Sequence, residues 1–357
     1  MKNKTKNLRG DFTSSETPLS QLLSSPITQR QGNKSPGRLR AKNIKAHPQK
    51  EKGLCLYDGT KLRSYDQDYI KELIETKRVL FDLKPTFDAL GERIISYKGK
   101  YENLEINIFL NRKSTLWLLD ISGSLHKFFN IFSNKGRQNY NDFYWKEFLQ
   151  VYAELIRVFE FNPHEMDVVN LEVGVNCVIP KYIGLTIEKI LENIISIWGV
   201  CRNISWIRKP NEDFFKVERG ERYFKFYDKM IQNGLLKQIM RIELGYSRSR
   251  QIIRDCNAKS FFDLTKLETS FLLQIGLIKA VETIHMFHPD LLNLPLQEIE
   301  ADRDVLQFNT PSFWCKLKKE NRYQHDRKRQ QYEFLTNKYC GCNLSKAIVE
   351  MVIKKLG

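Results

Sequence analysis

The residues Val169-Asn-Leu-Glu-Val-Gly-Val-Asn-Cys177 alternate apolar and polar side chains, and this alternation decides the fold class. Successive side chains of a β-strand point to opposite sides of the sheet, so a period of two marks a strand with one buried face. The predicted buried face carries Val169, Leu171, Val173, Val175 and Cys177. The opposite face carries Asn170, Glu172, Gly174 and Asn176. We therefore expect a sheet with one apolar side and one polar side.

Further strands and helices follow on either side of this segment. Alternation over 104–110 and a short apolar run over 116–121 predict a β-hairpin, and strands at 222–230 and 236–246 flank an Asn233-Gly234 turn. Apolar residues at helical spacing predict helices over 66–84, 142–158, 186–198 and 260–285. The order over 95–250 is β-β-α-β-α-β-β. We expect an α+β fold: an antiparallel sheet with helices on one face, followed by a mostly helical C-terminal region.

Composition divides the chain of 357 residues into three regions. Residues 1–53 hold twelve Lys/Arg against three acidic residues and show no periodicity, which predicts a disordered basic N-terminal arm. Residues 54–250 are predicted to form the α+β catalytic domain. Residues 251–357 are predicted to be helical and basic, and 320–332 group Arg and Lys with two tyrosines, a composition suited to phosphates and unpaired bases or to a solvated helix face.

The formal net charge of +16 predicts a polyanionic partner, with nucleic acid first and an anionic membrane surface second. No apolar run reaches the roughly 18 residues that span a bilayer, and the N-terminus lacks an apolar secretory signal. Seven scattered cysteines predict reduced thiols rather than a disulfide framework. We expect a cytoplasmic protein that does not bind a membrane.

The polar face of the 169–177 strand is a candidate metal site. Glu172 is flanked by the carboxamides of Asn170 and Asn176, and these are the oxygen ligands that Mg²⁺ and Mn²⁺ prefer. An ordinary solvent-facing sheet surface has the same composition, so the strand alone leaves both interpretations open.

The segment Tyr223-Phe-Lys-Phe-Tyr-Asp-Lys229 is a candidate catalytic strand. Alternation places Tyr223, Lys225, Tyr227 and Lys229 on one face. Transfer of a phosphodiester to a protein requires a nucleophile such as a phenol, and cations to stabilise charge on the phosphate oxygens. An exposed Tyr/Lys face without catalysis is the alternative.

The segment Arg241-Ile-Glu-Leu244 adds Glu243 as a fourth candidate metal ligand. A two-residue turn at Asn233-Gly234 would pair Glu243 with Phe224 and point it away from the tyrosines. A bulge or a loop of odd length is needed to bring Glu243 to the tyrosine face. A salt bridge within the sheet is the alternative role.

The order of these motifs resembles the replication initiators of the filamentous-phage II/X type and related plasmid replication initiation factors. The motifs that carry the resemblance are Gly123-Ser-Leu-His-Lys-Phe-Phe with downstream Gly136 and Asn139, the strand with Glu172, Tyr-x-Lys-x-Tyr-Asp-Lys, and Arg-Ile-Glu-Leu. The resemblance implies a nicking and joining enzyme on a sheet related to the HUH endonuclease core. It implies that Tyr227 is the nucleophile and that Glu172 stands at the acidic strand position, with Tyr223 and Tyr140 as alternative nucleophiles.

The chain departs from the HUH pattern because it has no His-hydrophobe-His pair, so a carboxylate-based Mg²⁺ or Mn²⁺ site is expected instead. His126 could approach that metal.

The sequence therefore predicts a phage or plasmid initiator that nicks and rejoins origin DNA, single-stranded or duplex, through a phosphotyrosine to start rolling-circle replication. A host helicase is a candidate further partner. The predicted DNA contacts are Ser124, His126, Lys127, Arg241, Arg327, Lys328 and Arg329. The alternatives are a DNA-binding initiator or regulator without catalysis, and an RNA-binding module, since aromatic and basic sheet faces also bind single-stranded RNA.

Overall fold

The computed structural model describes residues 53–200, 205–209 and 212–357, without the side chains of 205–213. The predicted N-terminal arm, up to residue 52, lies outside the described residues.

A ten-stranded antiparallel sheet dominates this part of the chain. Its strands lie in the order β2-β3-β4-β5-β1-β6-β11-β10-β9-β8, and every neighbouring pair is antiparallel. The strands of this sheet are β1 (Tyr57–Ser64), β2 (Lys84–Phe87), β3 (Ile94–Tyr101), β4 (Leu104–Leu110), β5 (Trp117–Ser124), β6 (Asp167–Val178), β8 (Ser205–Lys209), β9 (Glu212–Arg219), β10 (Arg222–Asp228) and β11 (Ile239–Tyr246). Two further strands, β7 (Ile194–Ser196) and β12 (His285–Met286), pair with each other. The protein is α+β with a large antiparallel sheet, as the sequence predicts.

Helices supply most of the remaining core. They are α1 (Gln67–Thr76), α2 (Leu125–Phe132), α3 (Trp145–Phe159), α4 (Ile187–Glu192), α5 (Lys229–Asn233), α6 (Ser249–Cys256), α7 (Leu267–Val281), α8 (Leu296–Ala301), α9 (Pro311–Glu320), α10 (Arg322–Tyr339) and α11 (Leu344–Leu356). Apolar side chains of α1–α4, α6, α7 and α11 share one buried cluster with the sheet. A smaller cluster joins α9 and α10 around Trp314 and Tyr332. The region after residue 250 is thus mostly helical, and parts of it complete the core of the sheet.

Strand β6 lies in the middle of the sheet and follows the predicted alternation from Leu171 to Cys177. Leu171, Val173, Val175 and Cys177 are buried in the main cluster. The prediction fails for Val169, because the register with β1 shifts between Lys61 and Leu62 and Val168 is the buried residue instead. A bulge of this kind adds a residue and moves the next side chain to the other face.

The connection between β10 and β11 differs from the predicted tight hairpin. Residues 229–233 form helix α5, the Asp228 carboxylate caps that helix by accepting from the amides of Met230 and Ile231, and Gly234 ends it with a positive φ of 63°. This longer connection pairs Lys225 with Glu243 rather than Phe224 with Glu243. Glu243 therefore shares the face of the tyrosines, and the register expected from a two-residue turn is wrong.

Strand β1 was not predicted, although it lies between β5 and β6 at the centre of the sheet. Its register to β6 is irregular between Tyr57 and Thr60, so its apolar residues do not alternate cleanly. The helix predicted over 186–198 is shorter, because 194–196 form β7.

Two further expectations concern membrane-spanning helices and the state of the cysteines. None of the helices in the described residues is both long and apolar enough to cross a membrane. Cys55, Cys177, Cys256, Cys340 and Cys342 are free thiols. Cys315 is disulfide-bonded, so the expectation of reduced thiols does not hold at that position.

Candidate active site

An open cleft of about 850 Å³ lies over the polar face of the central strands. Strands β1, β6, β10 and β11 form its floor, and the ends of β5 and β9, the first turn of α2 and helix α5 contribute to its walls. The candidate residues Asn170, Glu172, Tyr223, Lys225, Tyr227, Lys229 and Glu243 all line it. The fold thus gathers most of the predicted catalytic and metal-binding side chains in one cavity.

Tyr227 and Glu243 form one phenol–carboxylate pair in this cleft. The Tyr227 hydroxyl donates to Glu243 Oε1 at 2.8 Å. Burial raises the pKa of Tyr227 well above 10, and the nearby Glu243 charge adds to this shift. Burial also raises the pKa of Glu243, although the Arg241 guanidinium opposes the shift. A carboxylate with a raised pKa is a better proton acceptor, so Glu243 is suited to take the phenol proton.

Tyr223 and Glu172 form a second pair on the same face. The Tyr223 hydroxyl and the Lys225 ammonium both donate to Glu172 Oε1, each at 2.5 Å. The ring of Tyr223 lies over Gly245, where a Cβ would be 2.0 Å from Tyr223 Cζ. Tyr223 is 8% exposed. Glycine at 245 therefore makes room for the ring, and Tyr223 is held more tightly than Tyr227.

A buried ion-pair network supports these pairs from within the sheet. Arg241 donates through Nη2 to Asp58 Oδ2 at 2.7 Å and through Nε to Glu243 Oε1 at 3.0 Å. Asp58 also accepts from the Ser124 hydroxyl and from Asn139 Nδ2. Burial by itself would raise the pKa of Asp58, but Arg241 holds it well below its usual range. Asp58 is thus a charged member of the site that sequence analysis missed, because the irregular β1 strand gave no alternation.

Lys229 closes the other end of the cleft beside Tyr227. Its ammonium lies 4.9 Å from the centre of the Tyr227 ring and donates to Asn139 Oδ1 at 2.6 Å and Gln232 Oε1 at 2.7 Å. Burial lowers the pKa of Lys229 to about 8, with repulsion from Arg241 contributing. Lys225 behaves differently: burial would lower its pKa, but the carboxylates of Glu172 and Glu243 raise it. Lys225 is therefore the more firmly cationic of the two.

The predicted metal ligands separate into two groups. Glu172, Glu243 and Asn170 line the cleft. Asn176 is buried instead: its amide donates to the carbonyls of Asn139 and Asn141, and its oxygen accepts from Arg241. Asn176 therefore supports the site from below. Within the described ranges, no group of three or more His, Cys, Asp and Glu side chains is arranged to hold a metal ion.

The predicted DNA contacts also lie in different places. Ser124 and Lys127 line the cleft, and Ser124 caps α2. His126 is 2% exposed, stacks on Phe143 and bonds Asn141, and Arg241 is 3% exposed. Because both side chains are buried in internal contacts, neither is positioned for a direct DNA contact.

The predicted basic segment lies on α10, whose residues do not line this cleft. Lys328 is ion-paired with Asp302 and Asp304, and Arg329 with Glu333. Tyr332 is part of the core. These ion pairs favour a solvated and internally paired helix face over an aromatic phosphate-binding surface.

Two cations on the wall of the cleft, Lys61 and Arg137, were not predicted. Both line the cleft together with Lys127. The side chain of Lys61 is 42% exposed, and that of Arg137 is 70% exposed. Their partners, Asp120 for Lys61 and Glu102 for Arg137, lie at 3.6 and 3.5 Å. Such loosely paired cations can exchange partners with a phosphate at little cost, because exposed salt bridges contribute little free energy.

No protein-family model matches the sequence, and no curated protein matches it. Among solved structures, the rolling-circle replication initiator protein from Geobacillus stearothermophilus is similar, with 11% identity and a TM-score of 0.31, over 65% of this chain and 86% of that chain. DynU16, from the dynemicin biosynthetic locus, is similar with 8% identity and a TM-score of 0.17, over 62% and 98% of the two chains. These values are too low to transfer a function.

Proposed function

We propose that this protein nicks and rejoins DNA at a replication origin through a phosphotyrosine, as an initiator of rolling-circle replication. The main support for the proposal is the position of the Tyr227 phenol in an open cleft. Its hydroxyl lies 2.8 Å from Glu243 Oε1, and the Lys229 ammonium lies over its ring. A nucleophile within hydrogen-bond reach of a base, with a cation next to it, is the arrangement that covalent phosphoryl transfer requires.

In the nicking step the Tyr227 oxygen attacks the scissile phosphorus while Glu243 takes the phenol proton. The new bond joins the phenol oxygen to phosphorus, and the bond from phosphorus to the 3′ oxygen breaks. The 3′ oxygen leaves and takes a proton from water, and the proton held by Glu243 neutralises the hydroxide that remains. The products are a 5′-phosphotyrosine and a free 3′-hydroxyl. The reverse reaction, in which a 3′-hydroxyl attacks the phosphotyrosine, rejoins the strand and returns the proton to Tyr227.

Lys225 and Lys229 supply positive charge for this step. Both lysines line the cleft, and in the sequence one precedes Tyr227 and the other follows it. Negative charge grows on the phosphate oxygens as the phosphorus is attacked, and fixed cations in a partly buried site stabilise it more than water does. Arg241 and Asp58 act beneath the site, because Arg241 holds the carboxylate of Glu243 in place.

Binding of a divalent cation in the cleft remains a prediction. Glu172, Glu243 and Asn170 offer the oxygen ligands that Mg²⁺ and Mn²⁺ take. A Cβ at position 59 would be 2.4 Å from Glu172 Oε2, so glycine there makes room for the Glu172 carboxylate itself. A bound Mg²⁺ or Mn²⁺ would polarise the phosphate oxygen.

The DNA segment in the cleft would be held by its backbone. Lys61, Lys127 and Arg137 stand on the wall, where they can contact phosphates on either side of the scissile bond. Contacts from Arg327, Lys328 and Arg329 to origin DNA remain a prediction, as does recruitment of a host helicase.

The test is the formation of a covalent adduct. Labelled single-stranded oligonucleotides tiled across the replicon are incubated with the full chain and Mn²⁺ or EDTA, and the products are separated on a denaturing gel. We expect a metal-dependent protein–DNA band that Tyr227→Phe abolishes. Tyr182→Phe is the matched control, because Tyr182 is exposed and does not line the cleft.

Three other outcomes would each change the proposal. An adduct that survives in Tyr227→Phe but disappears in Tyr223→Phe or Tyr140→Phe would move the nucleophile to that residue. Tight DNA binding without an adduct under any metal would overturn the nicking proposal in favour of a non-enzymatic initiator or regulator. Preference for RNA of the same sequence would favour the RNA-binding alternative.

A further inference from the structure

Phe214 is an apolar side chain in an otherwise polar cleft. Among the described residues that line the cleft, only Phe214 and the glycines Gly59 and Gly123 lack a polar side-chain group. Strand alternation places Phe214 on the cleft face of β9, and the next residue, Phe215, is buried on the core face. Phe214 itself is half-buried, so part of its ring faces the cleft. The nicking step leaves this apolar surface without a role.

The ring of Phe214 lies next to the proposed nucleophile. Phe214 is paired with Tyr227 in the register of β9 and β10, and the side chains of directly opposed residues start about 5 Å apart. The Tyr227 hydroxyl is bonded to Glu243 on β11, which lies on the other side of β10 from β9. The hydroxyl therefore leans away from Phe214. The ring borders the space beside the phosphate that Tyr227 attacks in the proposed reaction.

The wall cations lie on the opposite side of the cleft from Phe214. Lys61 is on β1, and Lys127 and Arg137 belong to α2 and the loop that follows it. Strands β1 and β9 are four strand spacings apart in the sheet, about 19 Å. A single DNA strand that crosses the cleft can therefore keep phosphates near the wall cations while one base reaches the ring on β9. Aromatic side chains on basic surfaces stack unpaired bases in this way.

We propose that Phe214 is a base-binding subsite: its ring stacks on an unpaired DNA base next to the phosphate at Tyr227. This inference deepens the proposed function, on which it rests for the identity of the nucleic acid. It gives the cleft a preference for a strand whose bases are free to stack. Stacking adds affinity without adding charge, so the contribution of Phe214 is separable from that of the wall cations.

The experiment compares two single-stranded probes of about ten nucleotides, a length within the range that such surfaces cover. One is fluorescein-labelled oligothymidylate. The other is a labelled abasic deoxyribose phosphate strand of the same length, which has the same charge and no bases. Fluorescence anisotropy measures binding to the full chain carrying Tyr227→Phe, in EDTA, so that neither probe is cut. We expect Phe214→Leu to weaken binding of oligothymidylate about tenfold and to change binding of the abasic strand by less than about twofold.

Two control variants separate base stacking from charge and from the loss of any exposed ring. Lys127→Met should weaken binding of both probes equally, because it removes a phosphate contact. Phe87→Leu should change neither, since Phe87 is 48% exposed on the edge strand β2 and does not line the cleft. Circular dichroism establishes that each variant is folded. If Phe214→Leu folds poorly, Phe214→Trp replaces it, and its larger ring should at least preserve the preference for oligothymidylate over the abasic strand.

Equal affinity of the Tyr227→Phe chain for the two probes would overturn the inference. A preference for oligothymidylate that folded Phe214→Leu leaves unchanged would do the same, as would an equal loss for both probes. The adduct assay separates this failure from a failure of the proposed function. An adduct that Tyr227→Phe abolishes leaves nicking intact even if Phe214 has no effect on binding. The expected probe affinities without an adduct leave the base-binding subsite intact and remove the nicking role.

Discussion

Tyr227 and Glu243 lie diagonally across strands β10 and β11, and the Tyr227 hydroxyl donates to Glu243 Oε1 at 2.8 Å. The contact exists because Lys225, not Phe224, is the residue paired with Glu243. A register shifted by one residue would point Glu243 into the core side of the sheet. The proposed chemistry therefore depends on the length of the connection between these two strands.

Removal of the proton acceptor should slow nicking without removing the nucleophile. We expect Glu243→Gln to lower the rate of adduct formation by about 10²-fold or more, in the range of general base catalysis. The rate is measured with saturating oligonucleotide and Mn²⁺. Glu218→Gln is the control, because Glu218 is exposed and does not line the cleft. An unchanged rate in Glu243→Gln would exclude Glu243 as the base.

Loss of the buried guanidinium should destabilise the fold. Arg241→Met leaves Asp58 and Glu243 buried without their shared cation, so we expect the free energy of unfolding to fall by about 3–5 kcal/mol. Lys346→Met breaks an exposed pair with Glu350 and should cost less than about 0.5 kcal/mol. Urea unfolding measures both. Similar losses in the two variants would contradict the role of the buried network.

Stability should decrease in mild acid because of His126. Burial lowers the pKa of His126 from 6.5 to about 4, so between these pH values the unfolded chain binds a proton that the folded chain does not. Acidification therefore favours unfolding, by up to about 3 kcal/mol from this residue once the pH falls to 4.

Urea unfolding of the unmodified chain and His126→Gln between pH 7 and pH 4.5 measures this effect. We expect His126→Gln to be less stable than the unmodified chain at every pH. Its free energy of unfolding should depend less on pH than that of the unmodified chain. His164→Gln replaces an exposed histidine and should leave the pH dependence unchanged. Parallel pH profiles for the unmodified chain and His126→Gln would refute the assignment.

Glycine at 245 should be required by the ring of Tyr223. A Cβ at 245 would be 2.0 Å from Tyr223 Cζ, so we expect Gly245→Ala to lower the free energy of unfolding by about 1–3 kcal/mol. In a Tyr223→Ala background the ring is absent and most of this cost should vanish. A double-mutant cycle measures the difference. Equal costs in both backgrounds would show that the ring does not limit position 245.

The wall cations should bind DNA through its phosphates. We expect Lys127→Met and Arg137→Met each to weaken binding of single-stranded oligonucleotides regardless of base sequence, and to reduce the slope of log affinity against log salt by about 0.7 each. Fluorescence anisotropy at several salt concentrations measures both quantities. Lys346→Met is the control, because Lys346 does not line the cleft. A salt slope that stays the same in both wall variants would exclude phosphate contacts there.

The sequence by itself determined which face each catalytic candidate occupies. Alternation is local, because consecutive side chains of a strand must point to opposite sides, and so Glu172 and Tyr227 could be assigned to polar faces from their neighbours alone. The antiparallel sheet and the helical C-terminal region followed from the same local periodicities. Local patterns therefore gave a face with two candidate phenols and one carboxylate, and the choice of Tyr227 among the phenols came from the family resemblance.

Only the tertiary structure decided which of these residues meet. Glu243 reached the tyrosine face through the register set by α5, and Asp58 reached Arg241 across 183 positions of sequence. Burial of His126 and Asn176 likewise depends on elements that pack over them. Strand register and the burial of polar side chains depend on contacts between distant segments, so a periodic pattern within one segment does not determine them.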